Sequence, residues 1–317
     1  MKTKTLWDVM KETASEWSED NATRLAAALA YYTVLSIAPL LVLAVSIAGL
    51  VFGEEAAKGQ IASELSGVVG PQAGEGIQTM LKHAKSPEEG TIGSIVGIVV
   101  LFFGASGVFG ELQSSLNTIW EVAPKPGRGV MGMLRQRFFS FSMVLGVAFL
   151  LLVSLVLSAV LSGMGRFFES HMPGGEALWH VVNLGVSFSV ITALFALIFK
   201  VVPDVKVTWK DVAMGAVFTA VLFTLGKYLL GLYLGRASVA SPYGAAGSII
   251  VLVVWVYYAA QILFFGAEFT QVYARRRGSR IEPSENAVPM KVVKKTDDAQ
   301  SEPRDTRPSI PGRPRHA

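Results

Sequence analysis

The chain has 317 residues, 51% of them hydrophobic and only 16% charged, with a mean hydropathy of +0.46. Average soluble domains carry roughly 25% charged residues, so a water-soluble enzyme is a poor reading of this composition. The absence of cysteine removes disulfides, thiolate nucleophiles and cysteine metal sites. The net charge of +4 is spread over loops and ends and forms no nucleic-acid-binding face.

Residues 1–24 come first. Leu6, Val9, Met10, Thr13 and Trp17 recur at helical spacing among acids and lysines. That pattern predicts an amphipathic helix, either lying on the cytoplasmic membrane surface or packed against helix ends. Asp8, Glu12, Glu16, Glu19 and Asp20 do not suit a secretory leader, and no small-residue cleavage site follows. The first apolar block is therefore expected to be retained.

Six apolar blocks follow, at about 25–52, 92–112, 138–161, 179–202, 212–234 and 245–269. A bilayer core about 30 Å thick needs about 20 helical residues, and each block is close to or above that length. None alternates apolar and polar residues as barrel strands do, so helices are the spanning solution that satisfies the backbone in lipid. The fold class expected is an all-α integral membrane protein with about six transmembrane helices, short cytoplasmic loops and a helical first external loop. Within that loop, 53–90, apolar spacing predicts two short helices separated by Gly70 and Pro71.

Fifteen lysines and arginines lie on the N-terminus, the loops after spans two and four, and the start of the tail, against five on the other loops. By the positive-inside rule both termini are expected in the cytoplasm of a bacterium, with the chain in its plasma (inner) membrane. The membrane domain is set at 25–275. Residues 276–317, rich in proline and charge, are expected to be a disordered basic tail that cannot offset its ordering entropy.

Ionisable groups inside spans are expensive and are functional candidates by default. Lys227 in span five either faces a cavity and holds an anionic group or snorkels to the interface. Glu111 and Glu268 lie near the cytoplasmic ends of spans two and six, where ordinary interfacial pairing is the competing reading. Gln113, Asn117, Gln261 and Tyr243 complete the candidate substrate-binding set, with Lys227, Gln261 and Tyr243 expected to line one cavity. Pro39 removes a backbone hydrogen bond from the first span and is the expected hinge, although such kinks are common in membrane helices. The tetrapeptide FFGA occurs at 102–105 and again at 264–267, a weak hint of duplication.

Catalytic patterns are missing. The four histidines form no HxH or HExxH pair, and no P-loop, GxSxG elbow or dinucleotide fingerprint is present. No catalytic residue, metal or cofactor is expected, and the chain reads as a non-enzyme.

Three stretches in order carry a resemblance: RLAAALAYYTVLSIAPLL (24–41), FGASGVFGELQSSLNTIW (103–120), and the region 227–268 with KYLLGLYL and SPYGAAGSIIVLVVWVYYAAQILFFGAE. Together they resemble the BrkB/YihY-type family of bacterial inner-membrane proteins over roughly 24–275. The resemblance implies six spans and a link to serum resistance and virulence, with no settled biochemical activity and no catalytic residues to carry over. Some members were once labelled ribonuclease BN, and the His- and Asp-rich metal centre such chemistry needs is missing from this sequence. The function expected is a transporter or lipid-translocating protein of the cell envelope, its partners being membrane lipids, with an anionic lipid or envelope precursor as candidate substrate. The alternative is a non-transporting scaffold or envelope-assembly factor. Oligomeric state is not legible.

Overall fold

The computed structural model describes residues 3–83, 107–125, 175–236, 247–285 and 287–290. Helix α1 (Thr3–Glu19) turns at Asn21, which sits in the left-handed region with φ 52°, into α2 (Ala22–Phe52). Helices α3 (Glu54–Val69) and α4 (Pro71–His83) follow, divided at Gly70, whose φ of 86° favours a residue without a Cβ. The chain continues through α5 (107–119), β1 (Val122–Pro124), α6 (Gly175–Val201), β2 (Val205–Lys206), α7 (Trp209–Arg236), α8 (Gly247–Arg277), β3 (Glu282–Pro283) and β4 (Ala287–Pro289).

Among the described residues, three helices are long and apolar enough to cross a membrane. They are α6 over Leu184–Val201, α7 over Trp209–Tyr233, and α8. Helix α2 makes a fourth if its two arms form one span: the axis bends by 50° between Ala22–Ala38 and Leu40–Ser46, around Pro39. Most of the expected span 92–112 and all of 138–161 lie outside the described residues. Large apolar side chains such as Leu184, Val221, Leu225 and Leu229 point outward from α6 and α7. That is the surface a lipid-facing helix presents, because lipid tails satisfy it as well as a protein core would.

Helix α8 is the centre of the bundle and touches α7, α2, α1 and α4. Its main core gathers Ala26 and Leu29 of α2, Leu116 and Ile119 of α5, Phe199 of α6, and Ala216 and Ala220 of α7 around Phe264 and Ala267. Small residues let the backbones approach closely. Helices α7 and α8 lock reciprocally. Thr219 donates to the Gly215 carbonyl at 2.7 Å and lies over Gly266, while Thr270 donates to the Gly266 carbonyl at 2.6 Å and lies over Gly215. The sequences GAVFT (215–219) and GAEFT (266–270) thus form an antiparallel pair, with Phe218 stacked on Phe269 at 3.9 Å between ring centroids.

A second core lies at the opposite end. There Leu41 and Val45 of α2 and Val251 and Leu252 of α8 are covered by Ile61 of α3 and Ile77 of α4, the two helices expected at 53–90. Trp255, apolar in its surroundings, meets Phe223 edge-on at 6.1 Å.

At the basic end one of two alternatives is taken and one expectation changes. The amphipathic α1 packs against a helix end: Val9 is buried against Phe269, Val272 and Tyr273 of α8. The segment after Arg277, expected to lack structure from 276 onward, is folded as far as Met290 apart from the undescribed position 286. There β3 pairs antiparallel with β2, and β4 with β1. Ile281 packs on the main core and Ala287 is buried in it. Pairing partners from distant loops supply the order that local periodicity could not reveal. The rest of the tail, 291–317, lies outside the described residues.

Candidate functional site

Beyond the Gly–Thr lock a crevice of about 290 Å³ lies between antiparallel α7 and α8 on the bundle's side, with Tyr258 and Ile262 closely approaching Gly226. Leu222, Leu225, Gly226 and Leu229 of α7 form one wall, and Tyr258, Gln261, Ile262 and Phe265 of α8 the other. Trp17 of α1 closes the end nearest the basic side. Leu225 and Leu229 are also among the outward-facing residues, so the crevice opens toward the lipid. Its lining is apolar apart from Tyr258, Gln261 and the Trp17 indole, and the Trp17 Nε1–H and the Gln261 Oε1 are themselves buried without a protein partner among the described residues. Buried polar groups are ordinarily satisfied, and leaving one unmet costs about 1–3 kcal/mol.

Helix α1 is held over this end by ion pairs to the last turn of α8. Arg275 Nη2 reaches Glu12 Oε1 at 2.6 Å and Glu16 Oε1 at 2.5 Å, and Arg276 Nε reaches Glu12 Oε2 at 2.6 Å. Arginines at a helix C-terminus also meet the negative end of its dipole. Burial opposes the charge on Glu12, but the bonds from Arg275 and Arg276 outweigh it and hold the carboxyl below its usual range.

Beneath this clamp the α1–α2 corner places Asp20 beside Glu268. Glu268 is fully buried, and neither of its carboxyl oxygens meets a donor among the described residues. Burial, followed by the charges of Glu16 and Glu121, pushes Asp20 up from 3.8 to about 6. Among the described residues, no group of three His, Asp or Glu side chains could hold a metal ion.

The residues singled out in the sequence separate into different places. Gln261 lines the crevice and Glu268 sits about two turns further along the same helix. Lys227 is exposed on α7 between Gly226 and Leu229 of the crevice wall and is not among the lining residues. Tyr243 lies outside the described residues. Gln113 and Asn117 act on α5 as a clasp. Asn117 Nδ2 donates to Asp204 Oδ2 at 3.0 Å, the Asp204 backbone N–H returns a bond to Asn117 Oδ1 at 2.8 Å, and Gln113 Nε2 approaches the same carboxylate at 3.4 Å. Glu111 accepts a long bond from Ser115 at 3.5 Å. Pro39 lies at the bend of α2, away from the crevice walls. Sequence reasoning missed Trp17 as a crevice wall and Asp20 as the neighbour of Glu268. The GAVFT and GAEFT pair was the available signal that α7 and α8 meet face to face.

Apolar helices with a lipid-facing exterior, a central helix gripped on several sides and a crevice in the bundle's flank define a polytopic integral membrane protein. The chain belongs to the virulence factor BrkB family, whose model matches residues 13–291. A UPF0761 membrane protein of Pseudomonas aeruginosa (strain LESB58) is 30% identical over 257 residues, covering 80% of this chain and 60% of the relative. One from Psychrobacter sp. (strain PRwf-1) is 28% identical, covering 84% and 48%, and one from Vibrio vulnificus (strain YJ016) is 28% identical, covering 82% and 80%. The chain thus spans about 60% of the length of the Pseudomonas relatives it matches. No solved structure matches it.

Proposed function

We propose that this protein moves a lipid-like substrate of the cell envelope, without catalysing a reaction on it, in the bacterial inner membrane with its basic end in the cytoplasm. The crevice between α7 and α8 carries this reading. Its walls are leucine, isoleucine and aromatic, matched to an acyl chain, with Tyr258 and Gln261 as polar side chains among them. Lateral opening lets a lipid enter from the bilayer without crossing water. The bend at Pro39, in a helix packed against α8, gives the bundle a place to flex.

The test is translocation in proteoliposomes. Fluorescent phosphatidylglycerol in the inner leaflet should become accessible to an external quencher faster with the protein than in protein-free vesicles. Leu222→Trp, which fills the crevice, should abolish the gain at equal reconstitution. Equal rates in protein-free, wild-type and Leu222→Trp vesicles would refute lipid movement.

A further inference from the structure

We infer that Asp20 and Glu268 form a proton-binding site that takes up one proton between two facing carboxyl groups. The site does not depend on what the crevice carries. Glu268 projects from α8 into a space closed on all sides, and the side chain within hydrogen-bonding reach is that of Asp20. Two carboxylates have only acceptor oxygens, so they cannot bond to each other. One proton converts either into a donor and supplies the bond that the buried oxygens otherwise lack.

The surroundings favour the same state. Glu16 and Glu19 of α1 and Glu121 at the α5–β1 corner all add negative charge near Asp20. Arg275 is the facing cation, and its guanidinium is already engaged by Glu12 and Glu16. A pair with both groups ionised would therefore place a charge on half-buried Asp20 beside one on fully buried Glu268 with no counter-ion of their own, which is the arrangement that raises the affinity for a proton. A metal ion would need a wider oxygen shell, about six to eight ligands for calcium, and among the described residues no three such side chains are placed to hold one. The pair titrates as a unit, so its steps belong to both groups.

The experiment is pH-difference infrared spectroscopy on the full chain in nanodiscs of phosphatidylethanolamine and phosphatidylglycerol. A carboxylic-acid carbonyl band should be present at about pH 5 and disappear as the pair ionises at higher pH. Its midpoint should be the same in sodium, potassium and choline chloride. Glu268→Gln should remove the band. Asp20→Asn, whose amide donates to an ionised Glu268, should weaken proton binding about tenfold or more, moving the midpoint down by a pH unit. If Glu268→Gln does not fold, the Asp20→Asn shift decides alone. A band unchanged in the variants that fold, or a midpoint that follows the sodium or potassium concentration, would overturn the assignment.

Discussion

Replacing Gly215 by alanine asks whether the Gly–Thr lock between α7 and α8 sets how closely these helices pack. A Cβ at Gly215 would lie 1.8 Å from Thr270 Oγ1, 2.7 Å from its Cβ and 2.9 Å from its Cγ2. Ordinary carbon contacts are about 3.5–4.0 Å. Rotating Thr270 moves its hydroxyl and methyl but not its Cβ, so the 2.7 Å contact survives every rotamer and the helices must separate. Overpacking of this kind costs about 1–3 kcal/mol, and the top of that range suits a contact no rotamer relieves. Alanine returns about 1 kcal/mol through its better helix propensity. The net expectation for Gly215→Ala is a loss of about 2 kcal/mol, measured as helicity during SDS titration from mixed micelles. Thr270→Gly removes the obstructing atoms, so the double variant should recover about 1–2 kcal/mol relative to the sum of the singles. A neutral or stabilising Gly215→Ala, with additive behaviour in the cycle, would refute close packing at this point.

Other outcomes follow from the same contacts. Asn117→Ala leaves the Asp204 N–H without its partner and its carboxylate with only the longer Gln113 contact, and should lower stability by about 1–3 kcal/mol, read as a drop in Tm. Arg275→Ala removes contacts to both Glu12 and Glu16. Partly exposed pairs are worth about 0–1 kcal/mol each, so global Tm should barely move while amide exchange in α1 accelerates. The folded state raises Asp20 from 3.8 to about 6 and so binds its proton more tightly than the unfolded chain does. Its contribution to α1 docking is fully present below about pH 4 and is lost as pH rises through about 6, so exchange of α1 amides, corrected for intrinsic rates, should increase across that window. Protection that rises steadily over the same window would contradict this sign.

Much of the fold was legible because lipid imposes a length scale. Blocks near 184–201, 209–233 and 247–269 needed only apolar composition to be placed, and Gly70–Pro71 marked the α3–α4 boundary through backbone conformation. Long-range meetings were not legible. Asp20 reads as one more acid before a span, and only the turn at Asn21 together with α1 docking brings it to Glu268. Gln113 and Asn117 read as polar groups near a membrane helix, yet their partner is a carboxylate in the turn after α6. The tail strands were hidden for a related reason: two or three residues flanked by prolines carry no period, and their order comes from pairing with β1 and β2. In the candidate set, Gln261 lines the crevice because it shares one face of α8 with Tyr258, Ile262 and Phe265. Lys227 shows that polarity inside a span does not by itself fix which way a side chain points.

Lipid occupancy of the crevice is tested most directly by photo-crosslinking a phospholipid with a diazirine in its acyl chain, followed by peptide mapping. Adducts should concentrate at Leu222, Leu225, Tyr258 and Phe265 and fall sharply in Leu222→Trp. Adducts spread evenly over the outward apolar faces of α6 and α7, and unchanged by that substitution, would contradict a lipid site between α7 and α8.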